Sequence, residues 1–227
     1  MKVSIIIPVY NEFHTFSQVL ERVRQAELPA GCVKEIIVID DGSTDGTCEI
    51  LADVTHRRIN HSGKGSAIRA GIALANGDAI LIQDGDLEYD PGDYARILEP
   101  ILDGRADLVY GSRFLGKRVA MPWKNRLANR VLTAAANVLY GANLTDEATA
   151  YKAFRAPVLR RMRLKCRRFE FCPEVTAKAR RLGYRIHEVP VSYNARGVAD
   201  GKKIRARDGW EALWTLLRYR FAPRASL

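Results

Sequence analysis

Short apolar runs alternate with segments of helical periodicity in the first half of the chain. Four runs rich in β-branched and aliphatic residues predict buried strands at residues 3–7, 35–39, 79–82 and 108–110. Between these runs, apolar residues recur at the spacings expected of helices that cover a sheet. The alternation predicts an α/β fold with a mostly parallel sheet flanked by helices.

Two amphipathic helices are predicted in the second half. The first covers residues 122–140, where Trp123 and Leu127 stand among lysines and arginines, and the second covers residues 208–221. The apolar stripe and basic end of the second are formed by Trp210, Leu213, Trp214, Leu217, Phe221, Arg218, Arg220 and Arg224. Either these faces pack into the protein's own core, or they lie in an anionic membrane leaflet. Because no stretch reaches the ~18 uninterrupted apolar residues of a spanning helix, any membrane association is expected to be peripheral.

Charge is divided unevenly along the chain. The 227 residues, 47% of them apolar, suffice for one α/β domain with a buried core. Residues 1–110 carry 10 Lys and Arg against 18 Asp and Glu, net −8, whereas residues 111–227 carry 26 against 8, net +18. A basic half predicts an anionic partner. Nucleic acid is the distant alternative, but no recognition module is legible and the basic residues are interleaved with an apolar helix, so we expect no nucleic acid.

The cysteines and the start of the chain bear on the cellular compartment. Cys32, Cys48, Cys166 and Cys172 form no C-x-x-C pair and no ligand-like grouping with the histidines, so we expect free thiols in a reducing cytosol. The first strand follows Met1 almost at once, without the cleavage site of a secretory signal. We therefore expect a cytoplasmic protein.

Acidic residues stand beyond the predicted strands, where parallel sheets collect their ligands. Asp84, Asp86 and Glu88 follow the third run, and an extended backbone would direct all three side chains to one side. Three carboxylates on one side predict a site for a hard divalent cation, Mg²⁺ or Mn²⁺. The competing interpretation is a solvated acidic turn in which Gly85 supplies backbone freedom.

A second acidic pair, Asp40 and Asp41, follows the second run. One interpretation makes them a cap and a first-turn acid of a helix near residues 45–53. In the other, a carboxylate at this place accepts hydrogen bonds from a ribose or a base, as in dinucleotide-binding sheets. The two roles are compatible.

The segment Gly63-Lys64-Gly65-Ser66 invites comparison with a phosphate-binding loop. A Walker A motif also requires an earlier glycine, at a position where this chain has Arg58 or Ile59. We therefore reject a P-loop. A glycine-rich helix start can still approach an anion, which makes Lys64 a candidate for phosphate contact.

Taken in order, these motifs resemble those of the family 2 glycosyltransferases. The matching segments are residues 8–12 (PVYNE), 40–47 (DDGSTDGT), 84–86 (DGD), 111–113 (GSR), 145–155, and Arg196 followed by Lys202. Within the family, the chain is most similar to dolichol-phosphate mannosyltransferases and their bacterial polyprenyl-phosphate relatives, over roughly residues 2–220. Several ordered motifs are far more specific than any one of them. The sequence departs from the pattern at Glu88, where Gln is common, and at Ala150, where Gly often follows the threonine.

The resemblance implies a single domain with the GT-A fold. Residues 1–115 would form its nucleotide-sugar and metal half, and residues 116–227 its acceptor and membrane-facing half. The implied nucleotide-sugar site consists of Pro8, Tyr10, Glu12, Val38, Asp40, Asp84, Gly85, Asp86, Arg113, Arg196 and Lys202. Asp84 and Asp86 would hold Mg²⁺ or Mn²⁺ with Glu88 as a further ligand, and Asp84, Asp86 and Arg113 are the expected catalytic residues. Arg113, Arg196 and Lys202 would contact phosphate groups of donor or acceptor.

The implied reaction is a metal-dependent, inverting transfer of a hexose from a nucleotide-diphosphate sugar to a polyprenyl or dolichyl phosphate, at the cytoplasmic face of a membrane. GDP-mannose is the favoured donor, and a UDP-hexose is the alternative donor. A non-lipid sugar is the alternative acceptor. A nucleotidyltransferase on a similar sheet is the alternative enzyme class. A phosphate acceptor is largely dianionic at neutral pH and needs no general base, whereas a sugar acceptor would need one.

Overall fold

A computed structural model describes residues 1–51, 54–116, 121–195 and 206–223. The strands are β1 (Lys2–Val9), β2 (Val33–Asp40), β3 (His56–Arg58), β4 (Ala79–Ile82), β5 (Leu108–Ser112), β6 (Lys152–Arg155) and β7 (Ile186–Pro190). The helices are α1 (Phe13–Gln25), α2 (Lys64–Leu74), α3 (Tyr94–Leu102), α4 (Trp123–Tyr140), α5 (Ala156–Arg161), α6 (Phe171–Arg181) and α7 (Ala206–Phe221). Short 3₁₀ helices occupy Thr47–Leu51 and Pro91–Asp93.

The strands form one sheet in the order β3-β2-β1-β4-β6-β5-β7. Neighbouring strands are parallel except at β6, which runs antiparallel to both β4 and β5. The four apolar runs predict β1, β2, β4 and β5, whereas β3, β6 and β7 are not predicted. The three missed strands lack a continuous apolar run: β3 is His-Arg-Arg, β7 has a single buried residue, and β6 begins with the buried Lys152.

Side chains of β1 enter two different cores. Ile5 and Ile7 belong to the core beneath α1 and α3, whereas Ile6 belongs to the core beneath α2, α5 and α6 on the opposite face. Because both faces are covered, every position from Val3 to Val9 is buried, and the strand has a continuous apolar run instead of an alternating pattern. The arrangement is a helix-sheet-helix sandwich, and in such sheets ligands bind beyond the carboxyl ends of the strands.

The helices α4, α6 and α7 pack around a third, smaller core that includes Ala136, Ala177, Leu216 and Tyr219. On α7, however, the larger apolar residues of the predicted stripe lie on the outer face: Trp210, Trp214 and Phe221 are 76%, 65% and 82% exposed. The interpretation that this stripe packs into the protein's own core is therefore wrong for these three residues. Among the described residues, no helix is both long enough and apolar enough to cross a bilayer.

A buried polar cluster lies between β5, β6 and α6. Glu147 is fully buried, its Oε1 accepts a hydrogen bond from Thr176 Oγ1 at 3.2 Å, and its Oε2 lacks a hydrogen-bond partner among the described residues. Lys152 Nζ donates to the carbonyl oxygens of Glu147 and Thr149, at 2.9 and 2.5 Å. Burial raises the pKa of Glu147 to about 7, although the Lys152 ammonium acts in the opposite direction. Ionising this carboxyl therefore costs the folded state free energy.

Substitution of Glu147→Gln should make the free energy of unfolding less dependent on pH. The folded pKa of Glu147 is raised, so its contribution to stability is fully present below the unfolded pKa and is lost as the pH rises through about 7. The variant should therefore be the more stable protein at about pH 8, by up to about 3 kcal/mol, with a smaller difference at about pH 5. Urea denaturation at both pH values measures this, with the exposed Glu99→Gln as control. A stability difference between variant and wild type that is the same at both pH values would contradict a raised pKa of Glu147.

Candidate active site

The carboxyl ends of β1, β2 and β4 lie side by side at one edge of the sheet. Val9 pairs with Asp40 at the ends of β1 and β2, and β4 flanks β1 on the other side. Gly85, in the loop after β4, lies against the backbone of Pro8, and a Cβ atom there would stand 3.0 Å from the Pro8 carbonyl oxygen. A residue larger than glycine would push these loops apart. The structure thus brings predicted site residues from three loops to one place.

Asp40 is fully buried at the end of β2. Its Oδ1 accepts a hydrogen bond from Ser43 N at 2.9 Å, which closes a turn of the following loop and caps no helix. Its Oδ2 lies 3.4 Å from Arg58 Nε and has no hydrogen-bond partner among the described residues. A buried carboxylate oxygen without a donor is costly, so Asp40 is suited to accept a hydrogen bond from a ligand.

Asp41 ties the loop after β2 to the start of α2. Its Oδ1 accepts from Ser62 N at 2.8 Å, its Oδ2 accepts from Gly63 N at 2.9 Å, and His61 Nδ1 lies 2.9 Å from Oδ2. The His61 ring stacks on Tyr10, with ring centroids 4.1 Å apart. The family resemblance predicts Tyr10 in the nucleotide site, whereas no role for His61 is evident in the sequence, because no periodic signal connects residues so far apart.

Two other predicted residues occupy structural positions. Glu12 directly precedes α1; its carbonyl oxygen accepts from the amides of Thr15 and Phe16, and its carboxylate accepts from the Thr15 hydroxyl at 3.1 Å. Val38 is fully buried in β2 and belongs to the core beneath α1. A role of Glu12 or Val38 in nucleotide binding stays a prediction.

The backbone after β4 is bent and does not continue as a strand. β4 ends at Ile82, and residues 85–88 form consecutive bends in which Asp86 Oδ1 accepts from Glu88 N at 3.0 Å. The expectation that an extended chain directs Asp84, Asp86 and Glu88 to one side is therefore wrong. Among the described residues, no group of three or more Asp, Glu, His or Cys side chains is arranged to hold a metal ion.

Asp84 and Asp86 nevertheless both interact with the Lys64 ammonium. Lys64 Nζ lies 2.5 Å from Asp84 Oδ1. Burial lowers the pKa of Lys64, but the charge of Asp84 and its hydrogen bond to Lys64 outweigh burial, with smaller contributions from Cys172 and Asp86, so the pKa of Lys64 lies above its ordinary value. Mg²⁺ at nucleotide sites is commonly held by one or two carboxylates plus phosphate oxygens, so Asp84 and Asp86 fit a divalent ion. Glu88 is not required for such a site.

The start of α2 is fixed by its own amide groups. Gly65 N and Ser66 N donate to the carbonyl oxygens of Arg168 and Arg167, each at 2.9 Å. Gly63 has a φ of +98°, and a Cβ atom there would stand 2.6 Å from the Arg167 carbonyl oxygen, so only glycine fits. The hypothesis that this helix start approaches an anion through its backbone fails for these engaged amides. At this helix start, the side chain of Lys64 brings positive charge to the site.

Arg113 forms a buried, bidentate ion pair with Asp146. Its Nε lies 2.7 Å from Oδ2 and its Nη2 2.8 Å from Oδ1, which also accepts from Asn129 Nδ2 at 2.8 Å. Burial alone would raise the pKa of Asp146, but Arg113 holds it below its ordinary value. The family resemblance predicts that Arg113 contacts phosphate, whereas here two of its nitrogens bind a carboxylate. The pair joins the end of β5 to the loop before β6.

The remaining predicted phosphate contacts, Arg196 and Lys202, lie outside the described residues, and their role stays a prediction. The chain just before them is close to the acidic loop, because Asn194 N donates to the Glu88 carbonyl oxygen at 2.8 Å. The Tyr193 ring lies 5.0 Å from the Arg113 guanidinium carbon. This segment therefore connects the acidic loop to the Arg113 ion pair.

Comparison with known proteins identifies the family. The family model described as glycosyl transferase family 2 matches residues 4–163. The undecaprenyl-phosphate mannosyltransferase of Micrococcus luteus is 33% identical over 242 residues, which cover 99% of this chain and 96% of the relative. The polyprenol monophosphomannose synthase of Mycolicibacterium smegmatis is 30% identical over 216 residues, which cover 87% of this chain and 79% of the relative. The chain belongs to glycosyltransferase family 2, as its motifs predicted.

Solved structures confirm the fold class. Glucosyl-3-phosphoglycerate synthase from Mycobacterium tuberculosis, in complex with Mn²⁺, uridine diphosphate and phosphoglyceric acid, superposes with a TM-score of 0.73 at 22% identity, over 98% of this chain and 79% of that chain. The same enzyme with Mg²⁺ and uridine diphosphate gives a TM-score of 0.72 at 21% identity, over 98% of this chain and 80% of that chain. At this identity the likeness concerns the fold alone, which is the predicted GT-A fold.

Replacing Asp146→Asn should destabilise the protein strongly, because it leaves the Arg113 guanidinium buried without a counter-charge. We expect the free energy of unfolding to fall by about 4 kcal/mol, as measured by urea denaturation. The matched control is Asp107→Asn, which removes an exposed ion pair with Arg155 (3.7 Å) and should cost less than about 1 kcal/mol. Equal losses of unfolding free energy in the two variants would show that the buried ion pair contributes no more to stability than the exposed one.

Proposed function

We propose that this enzyme transfers a hexose, mannose from GDP-mannose in the first instance, from a nucleotide-diphosphate sugar to a polyprenyl phosphate. The observation that carries the proposal is that Asp84 and Asp86 both interact with the Lys64 ammonium. They do so at the sheet edge where the loops after β1, β2 and β4 meet. The two relatives described above are named for mannosyl transfer involving polyprenols, and the first is similar over almost the whole of both chains.

The donor half supplies groups suited to a nucleotide. Asp40 has a buried acceptor oxygen for a ribose or base, and the stacked Tyr10 and His61 offer an aromatic surface. These features do not distinguish guanine from uracil. The preference for GDP-mannose therefore rests on the relatives, and a UDP-hexose is the second donor to test.

The acceptor chemistry requires little acid-base catalysis. A phosphomonoester with a second pKa of about 6 is largely dianionic at neutral pH and can attack the anomeric carbon directly. Such a displacement breaks the bond to the nucleotide diphosphate on the opposite face and inverts the anomeric centre. The task left to the protein is to hold two anions close together, for which Lys64 and the predicted Arg196 and Lys202 supply positive charge.

Asp84 and Asp86 are the residues that would hold a divalent ion. When bound there, the ion would supply charge stabilisation for the departing diphosphate. Asp86 keeps its place through the hydrogen bond from Glu88 N, and Asp84 through its ion pair with Lys64. Arg113, bound to Asp146, would act mainly by fixing the loop after β5 beside this site.

We also propose that α4 and α7 form a membrane-docking surface at the cytoplasmic face of an anionic leaflet. The two helices pack against each other and expose aromatic and aliphatic side chains: Trp123, Leu127, Val131, Val138, Trp210, Trp214, Leu217 and Phe221. Basic residues flank them, and each contributes about 1 kcal/mol near an anionic surface. Four free cysteines are consistent with a reducing compartment. A lipid acceptor would reach the enzyme from such a surface.

Substitution of Asp86→Ala should reduce transfer by at least about a hundredfold and leave the fold intact, because it removes one of two carboxylates that would neutralise the leaving group. Radiolabelled GDP-mannose, or UDP-glucose in a parallel reaction, is incubated with undecaprenyl phosphate and Mn²⁺, and label in the organic phase is counted.

The matched control is Asp103→Ala, an exposed aspartate before β5, at the opposite edge of the sheet. It should transfer at the wild-type rate. Retained turnover in Asp86→Ala with Mn²⁺ present would exclude the proposed role of Asp86. Wild-type protein that labels only water-soluble products would exclude the lipid acceptor.

Substitution of both Trp210→Glu and Trp214→Glu should weaken membrane binding by at least about fivefold, since it replaces exposed indole rings with charges that an anionic leaflet repels. Flotation with vesicles containing phosphatidylglycerol measures the bound fraction. Val33→Glu, at an exposed apolar position away from α4 and α7, is the control and should float like the wild type. Wild-type protein that stays at the bottom of the gradient would rule out docking.

A further inference from the structure

The Lys64 ammonium takes a position that a divalent ion would need. Its Nζ lies 2.5 Å from Asp84 Oδ1. A hard divalent ion binds a carboxylate oxygen at about 2 Å. Two cations at such distances from one oxygen repel each other strongly. Lys64 and a divalent ion therefore compete for Asp84.

The backbone of Lys64 cannot move aside to relieve this competition. On one side Gly63 N is bound to Asp41, and on the other Gly65 N is bound to the Arg168 carbonyl oxygen. The next turn of α2 is anchored in the core by the fully buried Ile68. The side chain of Lys64, which keeps 24% of its surface exposed, is consequently the part that can leave.

We propose that Lys64 is a positioning residue that neutralises Asp84 while the enzyme is free of metal and moves to the donor diphosphate when a divalent ion binds. This inference rests on the proposed function, because it takes the donor to be a nucleotide diphosphate. Metal binding frees the ammonium for the phosphate, and the phosphate provides the displaced ammonium with a partner. Metal and nucleotide should therefore raise each other's affinity by the same factor.

Direct metal binding tests the competition without any transfer reaction. Mn²⁺ alone is titrated into wild-type protein and into Lys64→Met, and free Mn²⁺ is measured by electron paramagnetic resonance. Lys64→Met should bind Mn²⁺ at least about tenfold more tightly, because no internal cation has to be displaced from Asp84. The factor by which GDP or UDP increases Mn²⁺ affinity should be smaller in the variant than in the wild type.

Two further variants separate this role from a general effect of losing a lysine. Lys2 forms an ion pair with Glu35 at the other end of the strands, so Lys2→Met removes the same charge at a distance and should bind Mn²⁺ like the wild type. Lys64→Arg keeps the charge and should stay within about threefold of the wild type. Thermal melting confirms that each variant is folded.

Equal or weaker Mn²⁺ binding by folded Lys64→Met would overturn the proposal. If that variant does not fold, Lys64→Gln is titrated in its place with the same expectation. If neither variant folds, the wild type decides: Mn²⁺ that increases modification of Lys64 by an amine-reactive reagent, measured by peptide mass spectrometry, would support displacement of the ammonium, and unchanged modification would overturn the inference.

These outcomes are distinguishable from failure of the proposed function. Tighter Mn²⁺ binding by Lys64→Met, with loss of nucleotide coupling, supports the role of Lys64 even if no lipid product forms from either sugar nucleotide. Transfer to undecaprenyl phosphate by the wild type, with unchanged Mn²⁺ affinity in Lys64→Met, supports the function and excludes the competition.

Discussion

The parallel pairing of β1 with β2 on one side and β4 on the other is the constraint on which the rest of the site depends. Backbone hydrogen bonds hold the three strands in fixed register, and their carboxyl ends must then lie at one edge. Loops far apart in sequence are brought together by this register alone. The side chains of Asp40 and Asp84 need only stand at the right position after their strands to enter the same site.

Charge at this edge is balanced internally. Lys64 lies against Asp84, Arg58 near Asp40, and Arg113 against Asp146, so each of these three carboxylates has a nearby cation. The three pairs differ in how much of the cationic side chain is exposed to solvent. The Arg113 pair is almost completely enclosed and joins two loops, whereas the Lys64 side chain keeps 24% of its surface exposed.

Much of the fold was predictable because its central strands carry a strong local signal. The apolar runs of β1, β2, β4 and β5 follow from burial on both faces, and the acidic positions after them follow from the rule for parallel sheets. The antiparallel β6 was missed since its buried Lys152 interrupts any apolar run. The contacts of Arg113 with Asp146 and of Asp41 with His61 join distant segments, and neither hydrophobic period nor composition encodes such contacts. The bend at residues 85–88 contains a local hydrogen bond from Glu88 N to Asp86 Oδ1, and it agrees with the turn interpretation of this segment instead of the extended one.

The antiparallel direction of β6 has a consequence for how the two halves of the molecule can diverge. Lys152, its first residue, stands opposite Ile82 and Tyr110 near the carboxyl ends of β4 and β5, so the chain enters β6 from the ligand edge. A parallel strand would instead have received its preceding loop at the far edge. Exposed positions of the loop before β6, such as Thr145, can therefore differ at the ligand edge without altering strand register, whereas the buried Asp146 and Glu147 are fixed by their packing.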